Sequence, residues 1–141
     1  DRAEKVCSVE HDQDWYKLVR TELESKGLIP GVVEYELATD KKAYSSFKSE
    51  GLEKFDIILV DGPNRELCIE SSVRSLKAGG ILYFDNTDAE SSSGEEGEIE
   101  RALERLTTFA HQNSASITRF VDFAPGCLFA TEGYLVKMPE L

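Results

Sequence analysis

Oxygen-rich polar residues stand directly after four apolar segments of this sequence. A single residue of this kind most simply caps a helix or forms a turn. Four such groups at equivalent positions predict that they serve one ligand site. The groups are Glu10–His11, Ala38–Thr39–Asp40, Asp61–Gly62 and Asp85–Asn86.

These side chains suit a ligand that carries hydroxyl groups and a positive charge. A carboxylate such as Glu10 can accept two hydrogen bonds from a ribose diol, as acidic residues do in dinucleotide-binding folds. A group of carboxylates repels a pyrophosphate unless glycine-rich amides or cations offset its charge. These groups therefore suit a polyhydroxylated ligand such as one with a ribose, and they would tolerate a ligand without phosphate.

The segments that carry these residues have the patterns of alternating strands and helices. Strands are predicted at Lys5–Val9, Val33–Leu37, Phe55–Val60, Ile81–Asn86, Ser116–Val121 and Leu128–Met138. Helices are predicted between the N-cap Asp12 and the stop Gly27, at Ala43–Ser49, at Arg65–Leu76 and from Glu95 through Ala110. This order implies an α/β fold of three layers (α/β/α) with a mostly parallel sheet and a closing antiparallel hairpin. Ligands bind such sheets at the carboxyl ends of the strands, where the polar groups stand.

The same patterns predict how several residues pack. Ile57–Val60 is apolar at every position, which is typical of a strand covered on both faces. Trp15 lies on the apolar stripe of the first helix, which favours a core position over a place beside a ligand. The segment Lys77–Gly80 is expected to end the helix that begins at Arg65. The stripe of the last helix consists of Ile99, Ala102, Leu103, Leu106 and Ala110.

The chain has no internal repeat and no linker, so residues 1–141 are predicted to form one domain. Its three cysteines, Cys7, Cys68 and Cys127, are far apart in sequence. That spacing fits neither a disulfide framework nor a zinc site. Each cysteine stands among apolar residues, which predicts small core side chains in a reducing compartment.

The charge balance limits the partners that the chain can have. With 27 acidic and 16 basic residues, the formal net charge is −11. Such a surface repels phosphate backbones, so we expect no nucleic-acid partner. The chain offers no polybasic anchor, no apolar run of about 20 residues and no export leader, so we expect a cytoplasmic protein without a membrane partner.

Four motifs in order resemble those of the class I S-adenosylmethionine-dependent methyltransferases. They read "VCSVEHD", "FDIILVDGP", "LKAGGILYFDN" and "FAPGCLFATEGYLVK", and together they run from about Lys5 to Lys137. The resemblance implies a Rossmann-like methyltransferase fold and S-adenosylmethionine as the cofactor. That cofactor is a sulfonium nucleoside with a ribose and no phosphate, which agrees with the ligand predicted from the polar groups.

The resemblance also implies a role for each polar group. Glu10 would bind the ribose hydroxyls, and His11 would lie beside the ribose or the adenine. Thr39 and Asp40 would lie near the adenine. The group Asp61–Gly62 would line the methionine end and the point of methyl transfer, which makes Asp61 the candidate catalytic residue.

One part of the family pattern is missing from the sequence. In the family, a first strand and a glycine-rich turn precede the segment that begins here at Asp1, and no Gly-x-Gly turn is present. That strand lies in mid-sheet, between the strands assigned to Val6–Val9 and Phe55–Val60. A gap there would leave several hydrogen-bonding groups unpaired, at about 1–3 kcal/mol each. We therefore expect an N-terminal truncation, with direct pairing of the two strands or a partner chain in the gap as alternatives.

The ends of two strands could also hold a metal ion. Asp61, Asp85 and Asn86 offer the oxygen ligands that Mg²⁺ or another divalent cation prefers. This set is similar to the metal site of the catechol and caffeoyl O-methyltransferases, in which the cation lowers the pKa of the acceptor hydroxyl. Those relatives have a lysine soon after the first aspartate, whereas this chain has Arg65, which cannot act as a base. The alternative is that these residues cap the loop and orient the cofactor without a metal.

The sequence thus predicts methyl transfer to a small-molecule acceptor, at oxygen, by a protein that can form homo-oligomers. A non-catalytic binding or assembly module of the same fold is the main alternative, since the glycine-rich turn is absent. A nicotinamide-dependent dehydrogenase fits less well, because its Gly-x-Gly-x-x-Gly fingerprint is absent too. The Ser- and Glu-rich segment after Asn86 is either an acceptor lid or solvated loop.

Overall fold

The structure is a computed structural model that describes residues 3–46, 54–88, 96–123, 128 and 130–140. Its contacts divide the chain into a first unit, Asp1–Phe47, and a second unit, Lys48–Leu141. The prediction of a single domain stays a prediction. Within the described residues, no helix is long and apolar enough to cross a membrane.

The first unit is a two-stranded parallel sheet with a long helix. Strand β1 (Val6–Glu10) pairs with β2 (Val33–Leu37), and the helices are α1 (Gln13–Ser25) and α2 (Lys41–Ser45). The predicted start of α1 is confirmed, because the Asp12 carboxylate accepts hydrogen bonds from the N–H groups of Asp14 and Trp15. The predicted stop is confirmed as well, since Gly27 has a φ of +67°, which favours glycine.

The second unit holds a mixed four-stranded sheet in the order β3-β4-β6-β5. Its strands are β3 (Phe55–Val60), β4 (Leu76–Phe84), β5 (Ser116–Phe123) and β6 (Ala130–Lys137). β3 and β4 are parallel, whereas β6 runs antiparallel to both β4 and β5. The predicted terminal hairpin is thus confirmed, although its connection at 124–127, and Cys127 with it, lie outside the described residues.

Two helices of the second unit pack together and cover a fully buried core. They are α3 (Arg65–Ser75) and α4 (Glu98–Gln112). The predicted stripe of α4 is confirmed, since four of its five residues are buried and Leu103 packs against them. The core combines both helices with β3, β4 and β6, in the set Val60, Ile69, Leu76, Leu82, Phe84, Ile99, Ala102, Leu106, Ala110 and Val136.

Two predictions about coverage are wrong in the described structure. Ile57 and Leu59 on β3 are 69% and 61% exposed, so the strand is covered on one face, which holds the buried Val60. Trp15 is 57% exposed and takes no core position. An apolar pattern records which face could be buried, whereas actual burial needs a second element to cover it.

Two element boundaries also differ from their predictions. The segment Lys77–Gly80 does not end α3 as a loop but opens β4, because Leu76 already pairs with Phe55. An irregularity in the register between Phe55 and Ile57 accommodates the longer strand. The helix predicted at Ala43–Ser49 begins earlier and is short, and residues 47–49 lie outside the described residues.

The sheet order bears on the strand that the family pattern lacks. β1 and β3 belong to different sheets, one in each unit, and their direct pairing stays a prediction. Among the described strands, β1 pairs with β2 and β3 pairs with β4. A truncated chain and a partner strand in the gap both stay predictions.

Candidate functional site

Two aspartates of the second unit lie side by side at the carboxyl edge of its sheet. β3 and β4 run parallel with Val60 opposite Phe84, so Asp61 and Asp85 follow at equivalent positions. The Asp85 N–H donates to the carbonyl of Val60 at 3.1 Å, which carries the pairing one residue past the strand. The predicted neighbourhood of these two strand ends is confirmed.

The surroundings of Asp61 favour its protonated form more than water does. Partial burial raises the pKa of its carboxyl, the nearby Asp85 raises it further, and Arg65 opposes both effects. The Asp61 side chain is still 55% exposed, so a ligand can reach it. A half-exposed carboxylate with a raised pKa is a better proton acceptor than an ordinary aspartate.

Asp85 is oriented by a tyrosine that the sequence did not single out. The Tyr83 hydroxyl donates to Asp85 Oδ1 at 3.1 Å. Burial raises the pKa of Tyr83, and the hydrogen bond to Asp85 acts in the same direction, so the phenol stays a neutral donor. On β6, a Cβ at Gly133 would come within 2.7 Å of this hydroxyl, so glycine leaves the room that the contact requires.

Arg65 joins the two acidic strand ends through its guanidinium group. Its Nε donates to the Gly62 carbonyl at 3.0 Å, and Nη1 donates to the carbonyls of Asp85 and Asn86 at 2.8 Å each. Its Nη2 lies 3.5 Å from the Asp61 carbonyl and 4.0 Å from that residue's carboxylate. Only 5% of Arg65 is exposed, so the guanidinium end of this network is buried.

The sequence contains a signal for this role of Arg65. Arg65 is the first residue of α3, where the helix dipole disfavours a positive charge. A basic residue at such a position indicates a partner outside the helix. The sequence alone excludes Arg65 as a base, but it does not identify the partners of the guanidinium.

A buried glutamate holds the start of α3 from another helix. Asn64 precedes α3 in a left-handed conformation and makes no side-chain cap. Instead, the Arg65 backbone N–H donates to the carboxylate of Glu98, the first residue of α4, which is 2% exposed. A carboxylate at a helix N-terminus is favourable, because it satisfies an unpaired N–H and the dipole.

Glu10 and His11, at the end of β1, make their contacts within the first unit. Glu10 Oε1 accepts hydrogen bonds from the N–H groups of His11 and Asp12 at 2.7 and 2.8 Å, and it lies 3.0 Å from His11 Nδ1. The His11 ring packs edge-on against the ring of Tyr44, with 5.8 Å between their centroids. This contact brings the end of β1 next to α2.

Asp40 is the N-cap of α2. Its Oδ1 accepts from the Ala43 N–H at 2.9 Å, and Thr39 beside it is exposed. For this residue, the capping role expected of any single polar group at a strand end is therefore present. A carboxylate has a second oxygen, so a cap does not prevent it from contacting a ligand as well.

The predicted residues thus form two sets, one in each unit. Glu10, His11, Thr39 and Asp40 lie in the first unit, and Asp61, Gly62, Asp85 and Asn86 lie in the second. Each set stands at the carboxyl ends of a parallel strand pair. That the two sets contact one ligand stays a prediction, and so does the role of every residue in them.

The described residues do not form the ligand set of a metal site. Among them, no group of three His, Cys, Asp or Glu side chains could hold a metal ion. The Asp61 carboxylate already has the Arg65 guanidinium beside it, and Asp85 accepts from Tyr83. A cation at Asp61 would therefore compete with a fixed positive charge.

Comparison with solved structures identifies the fold. An O-methyltransferase from Bacillus cereus in complex with SAH superposes with a TM-score of 0.72 at 15% identity, over 95% of this chain and 62% of that one. This chain has the class I methyltransferase fold. The sequence matches no protein-family model and none of the curated proteins.

Other solved structures show how varied the relatives of this methyltransferase fold are. An rRNA methylase from Streptococcus thermophilus has a TM-score of 0.64 at 12% identity, over 96% of this chain and 74% of that one. Spermidine synthase from Thermotoga maritima has a TM-score of 0.63 at 18% identity, over 95% of this chain and 44% of that one. The chain spans less than two thirds of the Bacillus enzyme. The methyltransferase fold is therefore shared by proteins with different reactions, and the site must decide between them.

Proposed function

We propose that this chain binds S-adenosylmethionine and serves the transfer of its methyl group to oxygen on a small-molecule acceptor. The observation that carries the proposal is the pair of adjacent carboxylates, Asp61 and Asp85, at the carboxyl edge of a sheet with the methyltransferase fold. Ligands of open α/β sheets bind at this edge. A positively charged sulfonium suits two carboxylates better than a phosphate does.

The chain's residues would act mainly by binding and positioning. S-adenosylmethionine supplies an electrophilic methyl group on a positively charged sulfur. Glu10 would accept hydrogen bonds from the ribose hydroxyls with the oxygen that its local turn leaves available. Thr39 and Asp40 would contact the adenine, with His11 beside the nucleoside. Holding the reacting groups in line can by itself lower a barrier by about 7–11 kcal/mol.

Asp61 would receive the proton of the acceptor. When bound, S-adenosylmethionine would supply the methyl group to the acceptor oxygen, and its sulfur would leave as a neutral thioether with the electron pair of the broken carbon–sulfur bond. The acceptor hydroxyl then loses its proton to the Asp61 carboxylate. The half-exposed position and raised pKa of Asp61 support this role.

A non-catalytic binding module remains the second candidate, because one observation favours it. The carboxylates of Glu10 and Asp40 already accept hydrogen bonds from nearby backbone N–H groups. Such contacts also occur in loops without any ligand. In this case the fold is retained for binding or assembly, and Asp61 transfers no proton.

Isothermal titration of the full-length protein with S-adenosylhomocysteine tests the proposal. We expect binding, no binding of NAD, and an affinity lowered at least tenfold in Asp61→Asn and Glu10→Gln. Asp56→Asn is the matched control. Asp56 lies on β3, the strand that ends just before Asp61, and its carboxylate pairs with Lys77 at the surface. Binding of NAD instead, or equal affinities in all variants, would contradict the assignment.

Turnover separates the two candidates. Transfer of a labelled methyl group from S-adenosylmethionine to a panel of catechols and other small hydroxyl compounds is expected in the wild type and lost in Asp61→Asn. Binding of S-adenosylhomocysteine without transfer to any of them would favour the non-catalytic module. The same assay with added Mg²⁺ or with a chelator tests the metal hypothesis, because unchanged turnover in chelator would remove it.

A further inference from the structure

The hydrogen bonds of Arg65 go beyond what core packing requires. Its guanidinium donates to carbonyls in two loops that are far apart in sequence, after β3 and after β4. A planar guanidinium presents five donors in a fixed fork, so it fixes the separation and orientation of its acceptors. Lysine would carry the same charge without that geometry.

The placement of Arg65 is itself determined at both ends. Its backbone N–H is held by the buried Glu98 carboxylate of α4, and its Cζ lies 6.0 Å from the ring centre of Phe84, which is fully buried. The guanidinium is therefore fixed to the core of the second unit. The loop carbonyls that accept its hydrogen bonds are therefore held in place as well.

The Arg65 guanidinium also acts on the charges at the two strand ends. Asp61 and Asp85 follow paired residues of two adjacent parallel strands, so two carboxylates stand next to each other at one edge of the sheet. Like charges at this distance push the loops that carry them apart. The Arg65 guanidinium, whose Nη2 lies 4.0 Å from the Asp61 carboxylate, offsets part of that repulsion.

We infer that Arg65 is the positioning residue of the site: it holds Asp61–Gly62 and Asp85–Asn86 at one fixed separation, so that both carboxylates meet the ligand as a single preorganised surface. The inference rests on the proposed function for the identity of the ligand. It assigns to a buried arginine a task that needs no contact with cofactor or acceptor. A displacement of about 1 Å at such a site can lower a rate by about 100-fold.

The test compares Arg65→Lys with the matched control Arg74→Lys. Both arginines lie on α3, but Arg74 is exposed and pairs with Glu70 on its own helix. Hydrogen exchange is followed by mass spectrometry in peptides that cover each loop and in the α4 peptide around the buried Leu106. Affinity for S-adenosylhomocysteine is measured by isothermal titration on the same full-length proteins.

For Arg65→Lys we expect faster exchange in both loops, unchanged exchange around Leu106, and an affinity at least tenfold lower. Arg74→Lys should match the wild type in every readout. Faster exchange throughout the second unit would show a general structural role and overturn the inference. So would wild-type exchange and affinity in Arg65→Lys.

Two further observations keep the inference separate from the proposed function and from folding. If the wild type does not bind S-adenosylhomocysteine, the proposed function fails, whereas the exchange comparison still decides the role of Arg65. If Arg65→Lys does not fold, the wild-type Nε–H resonances of Arg65 and Arg74 replace it. Slow solvent exchange at Arg65 and a shift on ligand addition are expected, and rapid exchange at both arginines would overturn the inference.

Discussion

The two units hold their candidate site residues in different ways. In the first unit, α1 has no buried residue, and Glu10 and Asp40 accept hydrogen bonds from backbone groups no more than three residues away. In the second unit, a buried core supports Arg65, which reaches carbonyls 20 and 21 residues away. The candidate residues of the second unit are therefore held by long-range tertiary contacts, whereas those of the first unit are held by local hydrogen bonds.

The two units should therefore differ in how much folding stability is lost when a side chain is truncated. Truncation of a side chain in a buried core lowers the free energy of unfolding of the protein, because a cavity remains. A residue on a half-covered helix leaves a space that water can fill. Three measurements test this contrast between the units.

The largest expected difference lies between the cysteines of the two units. Burial raises the pKa of Cys68 to about 12, with the nearby Glu98 charge adding to the effect. At pH 8 only about one Cys68 in ten thousand would be a thiolate, whereas a thiol of ordinary pKa near 8.5 would be about one quarter ionised. We therefore expect a thiol reagent to modify Cys68 about a thousandfold more slowly than a thiol of ordinary pKa, and more slowly than Cys7, although both cysteines are only partly buried by exposed area.

The rates are read by mass spectrometry in a Cys127→Ser background, with Cys7→Ser and Cys68→Ser as controls. Unfolding in urea should bring the two rates together. Equal rates in the folded protein would mean that the second unit opens as readily as the first.

The second measurement compares leucines on two helices. Leu106 on α4 is fully buried, and Leu23 on α1 is half-buried. We expect Leu106→Ala to lower the free energy of unfolding by about 2–5 kcal/mol, and Leu23→Ala by less than about 2 kcal/mol. Urea denaturation followed by circular dichroism measures both, and Trp15, the one tryptophan of the sequence, reports on the first unit by fluorescence.

Similar losses from the two leucine variants would contradict the contrast between the units. Such a result would mean that α1 is covered as well as α4 is. An unchanged Trp15 transition in Leu106→Ala would add that the first unit unfolds independently.

The smallest expected effect concerns ion pairs. Glu66 on α3 pairs with Arg101 and Arg105 on α4, and the hydrogen bond from Arg101 is the largest cause that lowers its pKa. A lowered pKa stabilises the folded state above the ordinary value of 4.5, and that contribution is lost as pH falls through the folded-state pKa. We expect Glu66→Gln to cost about 1 kcal/mol or less at pH 7.

Denaturation at pH 7 and near pH 3 checks this prediction, with Glu24→Gln on α1 as the matched variant. Glu24 pairs with Arg20 on its own helix, so its loss should matter less. A difference between Glu66→Gln and the wild type that grows on acidification would contradict the assigned sign.

Local chemistry was readable from the sequence wherever a residue acts on its near neighbours. Asp12 begins α1 and Gly27 ends it as predicted, because a cap needs only backbone groups within a few residues. The order of strands and helices was readable as well, since periodicity depends on local spacing. The fold class follows from that order, and the comparison with solved structures agrees with it.

Tertiary structure alone decided what covers each element and what joins the strand ends. The sequence pattern predicts core positions for Ile57 and Trp15, yet both side chains are exposed. The prediction fails because a sequence pattern does not show whether another segment covers the apolar face. Asp61 and Asp85 could be placed on one edge from sequence, since parallel strands end together. The link between them through Arg65 and Glu98 could not, because a buried charge finds its partners by proximity in space, and residues 20 or more apart come together only when the sheet and both helices have formed.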